Sequence, residues 1–217
     1  MSASPPGDPA DGGGRDSAPG PAGWFGKLRA LGDFATRRLP PEFVEPWDEW
    51  LSEELVAAWE ALGEDWADAY ASAPTWRFAL GAGVLGSGPW FGVLMPSFDR
   101  VGREYPLTFA ARFPESAAPG DVETLACRWD RLIAIAAQVN GEPAWDVETL
   151  EAALHASQYA DAAESAATQA PAALATLGRT ATLWWPRRAD TGADGPVAVI
   201  DGLPRGRPFV QLIRPGG

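Results

Sequence analysis

The residues best able to do chemistry fall in two short runs: Lys27, Asp33, Arg37 and Arg38, then Asp99, Arg100, Arg103 and Glu104. Each run sits beside bulky apolar sequence, where charges need partners. Two arrangements satisfy them: mutual pairing as a structural network at a sheet edge, or convergence on a ligand or partner protein. In a closed, partly apolar pocket, Asp33 or Asp99 would act as general base and Lys27 or Arg103 as electrostatic stabiliser. That would make a small-molecule-binding or hydrolase-like site. Salt-bridged on an open surface, the same groups would hold proteins together.

Other chemical candidates carry less. Gly81, Gly83 and Gly86 spell G-x-G-x-x-G, the pattern that lets backbone approach a pyrophosphate at a helix N-terminus. That chemistry requires a helix to follow, whereas Gly88 and Pro89 lead into a strand, so a plain hairpin loop is expected. His155 and Cys127 are the only residues of their types. The expectation is a surface or half-buried structural histidine and a small buried helix cysteine. One His and one Cys make no metal cluster, leaving all-oxygen sites alone. No cofactor and no metal are expected.

Glu42, Glu45, Asp48, Glu49, Glu53, Glu54, Glu60, Glu64, Asp65 and Asp68 follow one another with no Lys or Arg between them. Like charges at i, i+4, as in Glu45, Glu49 and Glu53, destabilise a helix by roughly 0.2–0.5 kcal/mol per pair. The run reads as a solvated face or as an acidic docking surface for a basic partner. From Arg179 onward, six Arg face only Asp190, Asp194 and Asp201, so the chain is polar along its length.

The elements must bring these residues together. Residues 1–22 are almost wholly Gly, Pro, Ser, Ala and Asp and read as a disordered tail ahead of a single domain over 23–217. WFGKL at Trp24 reads as a short strand with a turn near Gly32 and Asp33. Pro46 suits the first turn of a helix to Leu62, with Trp47, Trp50, Leu51, Leu55 and Ala58 on one face. Trp66–Tyr70 suggests another short helix. TWRFAL, PWFGVLMPS and YPLTFAARF read as closely spaced strands, which favours hairpin pairing over parallel crossovers. Asp121 is the expected N-cap of a helix through Val139, and Asp146 of a shorter one. TATLWWPRR, GPVAVI and PFVQLIRP read as late strands, while residues 156–170 are only weakly patterned. The predicted fold is α/β: a mixed, largely antiparallel sheet with helices on both faces, a three-layer sandwich.

Net charge is −12, of which Asp8, Asp11, Asp16 and Arg15 in the tail supply −2, leaving −10 in the body. Such a body repels nucleic acid and anionic membranes unless it carries a basic patch. No run of about 18 uncharged apolar residues occurs, and the N-terminus has no basic-then-apolar leader pattern. The expectation is a protein that neither spans a membrane nor leaves the cell by that route. A chain this long can bury roughly 70% of its unfolded surface, and the lone thiol fits a reducing compartment.

The order of GKL and GDF (Gly26 to Phe34), WDEWL (Trp47 to Leu51), PTWRFAL, WFGVLMPSFDRVGREYPL (Trp90 to Leu107) and TLWW (Thr182 to Trp185) closely resembles the TagF (ImpM) family of bacterial type VI secretion. The resemblance spans about residues 23 to 214. It implies a cytoplasmic, non-enzymatic post-translational repressor acting through protein contacts, including the system's forkhead-associated-domain scaffold protein. It also implies an α/β sandwich. Lys27, Asp33, Arg37, Asp99, Arg100 and Arg103 occupy polar positions of the family motifs. Arg29 stands where family members commonly carry Pro, and the Pro/Gly tail lies outside the family pattern. An enzyme and a structural subunit of the apparatus are the rival classes.

Overall fold

In the computed structural model, residues 20–86, 88–112, 119–139, 141, 145–158, 174–175, 177–187 and 194–214 are described. The expected disordered tail lies outside them up to residue 19, as does the weakly patterned stretch from residue 159.

The strands are β1 (Gly23–Gly26), β2 (Ala35–Arg37), β3 (Thr75–Leu80), β4 (Trp90–Met95), β5 (Leu107–Arg112), β6 (Ala181–Arg187) and β7 (Ala198–Asp201). They form one sheet in the order β2-β1-β5-β4-β3-β6-β7. Every pairing is antiparallel, so the parallel component of the expected mixed sheet is absent among the described residues. The glycine motif falls in the β3–β4 loop with no helix after it, as its flanking residues require.

The helices are α1 (Pro41–Leu62), α2 (Trp66–Ala71), α3 (Pro119–Val139), α4 (Val147–Ser157) and α5 (Arg207–Ile213). They divide between the two faces of the sheet and make it a single three-layer α/β domain. On one face Trp47, Trp50, Tyr70 and Phe209 from α1, α2 and α5 pack on Phe25, Phe78, Trp90 and Trp184. On the other, Trp129, Leu132, Leu150 and Leu154 from α3 and α4 cover Trp24, Phe91, Phe109 and Trp185. Successive strand residues such as Trp24 and Phe25, or Trp184 and Trp185, therefore enter opposite layers. This is why the strands read as continuous apolar runs, a pattern more usual in parallel sheets.

Indole N–H groups pin the layers together. Trp47 of α1 donates to Thr108 Oγ1 of β5 at 2.9 Å, Trp129 of α3 to the Gly92 carbonyl at 3.0 Å, and Trp76 of β3 to the Leu212 carbonyl of α5 at 2.8 Å. Buried indoles need such acceptors. The exception is Trp185, whose buried Nε1 makes no hydrogen bond, beside its cross-strand neighbour Arg77, whose Nε also makes none.

Three expectations are corrected. PFVQLIRP forms α5, not a strand: Pro208 sits in the first turn, and Phe209, Leu212 and Ile213 are buried at helical spacing. Helix α1 begins at Pro41, leaving Pro46 inside it, where it removes an amide that would have bonded the Glu42 carbonyl. Helix α3 starts at Pro119, so Asp121 lies within it.

Candidate functional site

Strands β1 and β4 both flank β5 antiparallel, so they leave the sheet at the same end. The β1–β2 loop carries Lys27 to Phe34 and the β4–β5 loop carries Pro96 to Pro106, so topology brings the two polar runs side by side. Gly26 permits the close approach: its φ is +130°, and a Cβ there would stand 2.0 Å from the Pro106 carbonyl oxygen. Only glycine satisfies both conditions.

Asp99 is the hub. Its Oδ1 accepts the amides of Val101 (3.0 Å) and Arg103 (2.9 Å), and its Oδ2 accepts Arg103 Nε (2.6 Å). Lys27 Nζ lies 3.4 Å from the same Oδ2, and both side chains are nearly fully buried. Burial alone would push the Asp99 carboxyl up. The Arg103 amide and guanidinium, the Val101 amide and the Lys27 ammonium outweigh that and hold it well below the usual carboxylate range.

Further bonds lock the two loops. Arg103 Nη2 donates to the Gly32 carbonyl (2.6 Å), the Arg100 amide to the Leu31 carbonyl (2.9 Å), and Ser97 Oγ to the Lys27 carbonyl (2.8 Å). From below, the buried Tyr70 hydroxyl of α2 donates to the Ser97 carbonyl and accepts the Ser97 amide. Gly102 closes the 99–103 turn at φ +83°, a conformation other residues rarely adopt.

The structure thus joins Lys27, Asp99 and Arg103, leaves Asp33 and Arg100 exposed in the same two loops, and sets the exposed Arg37 apart, opposite Trp24 in the edge strand β2. Asp33 accepts only its neighbour Phe34's amide, Arg37 Nη1 reaches the Thr36 carbonyl, and the Arg100 guanidinium lies over Gly32. Arg38 turns away from the group. At φ +60° it donates to the Ala22 carbonyl and pairs with Glu151 of α4, which also accepts the Trp24 indole. Glu104 accepts the Trp66 indole.

Sequence reasoning missed the apolar part of this surface. Phe34 is 47% exposed and Val101 70% exposed. Phe34 is nonetheless held: its ring meets Tyr105 edge-on at 4.7 Å, stacks on Phe25 at 6.3 Å, and lies under Lys27 Nζ at 5.1 Å. The signal available was an apolar residue inside each polar run.

The acidic run is dispersed by the fold. Glu53 pairs with Arg205 (2.7 Å), Asp65 with Arg214 (2.8 Å) and Glu42 with Arg112 (3.2 Å). The buried Glu54 accepts the Gly206 amide that opens α5. Glu45 and Glu49 remain exposed on α1. His155 is exposed in the last turn of α4 and Cys127 is buried.

An open polar cleft of about 430 Å³ lies between α1, the β3–β4 loop and the segment that follows β7, lined by Glu49, Thr180, Asp201 and Arg205. A smaller apolar one of about 20 Å³ lies under Tyr70, Trp76 and Phe209. Neither touches Lys27, Asp33, Asp99 or Arg103. Among the described residues no cluster of His, Cys, Asp and Glu is placed to hold a metal, and no helix is long and apolar enough to cross a membrane.

Residues 23–177 match the family model of the TagF N-terminal domain, described as type VI secretion system-associated. The chain belongs to the TagF family. The match includes both loops of the Asp99 hub, so the hub is part of the TagF domain, while β6, β7 and α5 lie beyond it. The chain is also similar to the solved structure of PA0076 from Pseudomonas aeruginosa PAO1. The two share 33% identity over 90% of this chain and 95% of that one, with a TM-score of 0.72. No curated protein matches it in sequence.

Proposed function

We propose that this TagF-family protein is a cytoplasmic repressor of a type VI secretion system, acting by binding other components of the apparatus, its forkhead-associated-domain scaffold protein among them. The observation that supports binding over chemistry is the saturation of Asp99. Both its oxygens are engaged by amides, a guanidinium and an ammonium, and its acidity is raised. A general base working near neutrality needs the opposite shift and a free lone pair facing substrate. The hub instead spends its charges fixing two loops, which is what a rigid recognition surface requires.

The test is secretion by a deletion strain together with affinity purification of the tagged full chain. Deletion is expected to raise secretion, and the wild-type gene to restore repression. A variant carrying Asp99→Ala and Arg103→Ala is expected to fail in both repression and co-purification of the scaffold. Secretion that is the same with and without the gene rejects the repressor reading.

A further inference from the structure

We infer that the outward face of α1 around Val56, Trp59 and Glu60 binds a basic segment of a partner protein, one that sets an apolar side chain among Lys or Arg residues. This rests on the protein-binding reading above and names a surface and the chemistry of its occupant.

Helix geometry places these residues together. Val56 and Trp59 stand three apart in α1, and Val56 and Glu60 four apart, spacings that set side chains next to one another on a helix surface. The opposite face carries Trp47, Trp50, Leu51 and Ala58 into the core. Val56 is 58% exposed and Trp59 57%, and the half-buried Leu55 and Leu62 continue the apolar strip towards the core. Among the described residues Trp59 is the one exposed tryptophan, the others being buried or half-buried. Its indole N–H has no acceptor among them, whereas those of Trp47, Trp50, Trp66 and Trp76 each donate to one. A contiguous apolar strip with a tryptophan at its centre is the composition of a contact site. The helix beneath it is already anchored, so little backbone entropy is lost on binding.

Charge complementarity identifies the occupant. No Lys or Arg lies between Arg38 and Arg77. Three arginines return to this region from elsewhere: Arg112 to Glu42, Arg205 to Glu53 and Glu54, and Arg214 to Asp65. Arg205 offsets the acids on its own side of α1, but at 3.6 residues per turn Glu53 and Trp59 stand about 120° apart around the axis. Among the described residues, Glu60 and the nearby Glu64 are exposed and form no ion pair. An apolar strip edged by uncompensated carboxylates suits Lys and Arg, whose stems cover apolar surface and an indole face while their heads reach the acids. The same carboxylates repel an acidic segment.

The experiment probes an array of overlapping 15-residue peptides covering the type VI secretion components of the same bacterium with the labelled full chain. Bound peptides are expected to be net basic and to contain an apolar residue, and to bind less well in added salt. Trp59→Ser and Glu60→Lys are each expected to weaken the same peptides about tenfold or more. Glu148→Lys makes the same change in net charge on α4, across the sheet, and is expected to leave binding unaltered. Melting temperatures check folding; should Trp59→Ser melt early, Val56→Ser reads the apolar strip in its place. Absence of bound peptides, binding of acidic or neutral ones, retention by either variant, or an equal loss in Glu148→Lys overturns the inference. So does a wild-type dimer in sedimentation that Trp59→Ser dissolves, which would make a second copy the occupant. The deletion assay reads the repressor proposal separately. Secretion indifferent to the gene defeats that proposal and leaves a Trp59-dependent peptide result standing, whereas a repressing wild-type chain that binds no basic peptide defeats this surface alone.

Discussion

A carboxylate under cover keeps its charge only where donors replace the water it has lost, and at Asp99 two amides, a guanidinium and an ammonium do so. Linkage gives the sign of the pH effect. The folded value is depressed below the ordinary 3.8, so the stability Asp99 contributes is fully present above that value and is lost as pH falls through the folded one. Urea melts of the wild type and Asp99→Asn should differ most near neutrality, and the gap should narrow progressively as pH falls below the ordinary 3.8; a gap constant with pH would contradict the assignment. Arg77 is another buried charge. Its side chain is wholly buried, yet its partners Asp130 and Asp194 are 30% and 35% exposed. Arg77→Ala should lower stability by about 2–4 kcal/mol, moderated because both acids can rehydrate. Arg77→Met should cost less, since its volume fills the strand's inner face and its orphaned Nε is gone; equal losses in the two variants would assign the effect to charge alone.

At the scale of elements, α1 carries two opposing instructions. Its apolar stripe is strong: Trp47 packs against Phe43, Trp50, Phe78 and Trp184 at 4.7–6.3 Å. Trp47→Ala should cost about 3–5 kcal/mol in chemical denaturation, with lost area, cavity and the Thr108 bond all contributing. Pro46 works against the same helix, since it removes a hydrogen bond one turn inside. Pro46→Ala should therefore stabilise the protein, by no more than about 3 kcal/mol, read as a shift in denaturation midpoint; destabilisation would show that the proline fixes the helix entry. The misread α5 teaches the complementary point. Seven residues carry too little periodicity to separate a helix from an edge strand. What fixes the helix is Phe209 lying edge-on to Trp50 at 5.5 Å and Glu54 accepting the Gly206 amide.

Across the whole molecule, the acidic first helix and the basic C-terminal stretch meet. Arg205 and Arg214 both return to α1 and its neighbouring turn. These pairs are more than half exposed on their arginine side, so Arg205→Ala and Arg214→Ala should each change stability by no more than about 1 kcal/mol. Larger losses in thermal melts would mean that the pairs set the seat of α5. Glu45 and Glu49 remain the exposed candidates for a basic partner, with Glu53 already engaged. We propose that reversing Glu45 and Glu49 to Lys weakens such binding in a salt-sensitive way, measurable by titration at two ionic strengths; equal affinities would remove α1 from the interface.

The sequence by itself determined the three layers, because apolar period separates helices from strands and two-sided apolar runs demand cover on both faces. It also determined that the two polar runs beside apolar strands must find partners, without separating Lys27, Asp99 and Arg103 from Asp33, Arg37, Arg38, Arg100 and Glu104. Only the tertiary structure decided which charges are spent and which are offered. Asp99 is buried because β1 and β4 leave the sheet at one end and their loops close over it, while Arg100 stays exposed on one of those loops and Arg37 on the edge strand β2. Phe34 and Val101 stand out for the same reason: exposure belongs to the packed layers around a residue, and residue type alone does not contain it.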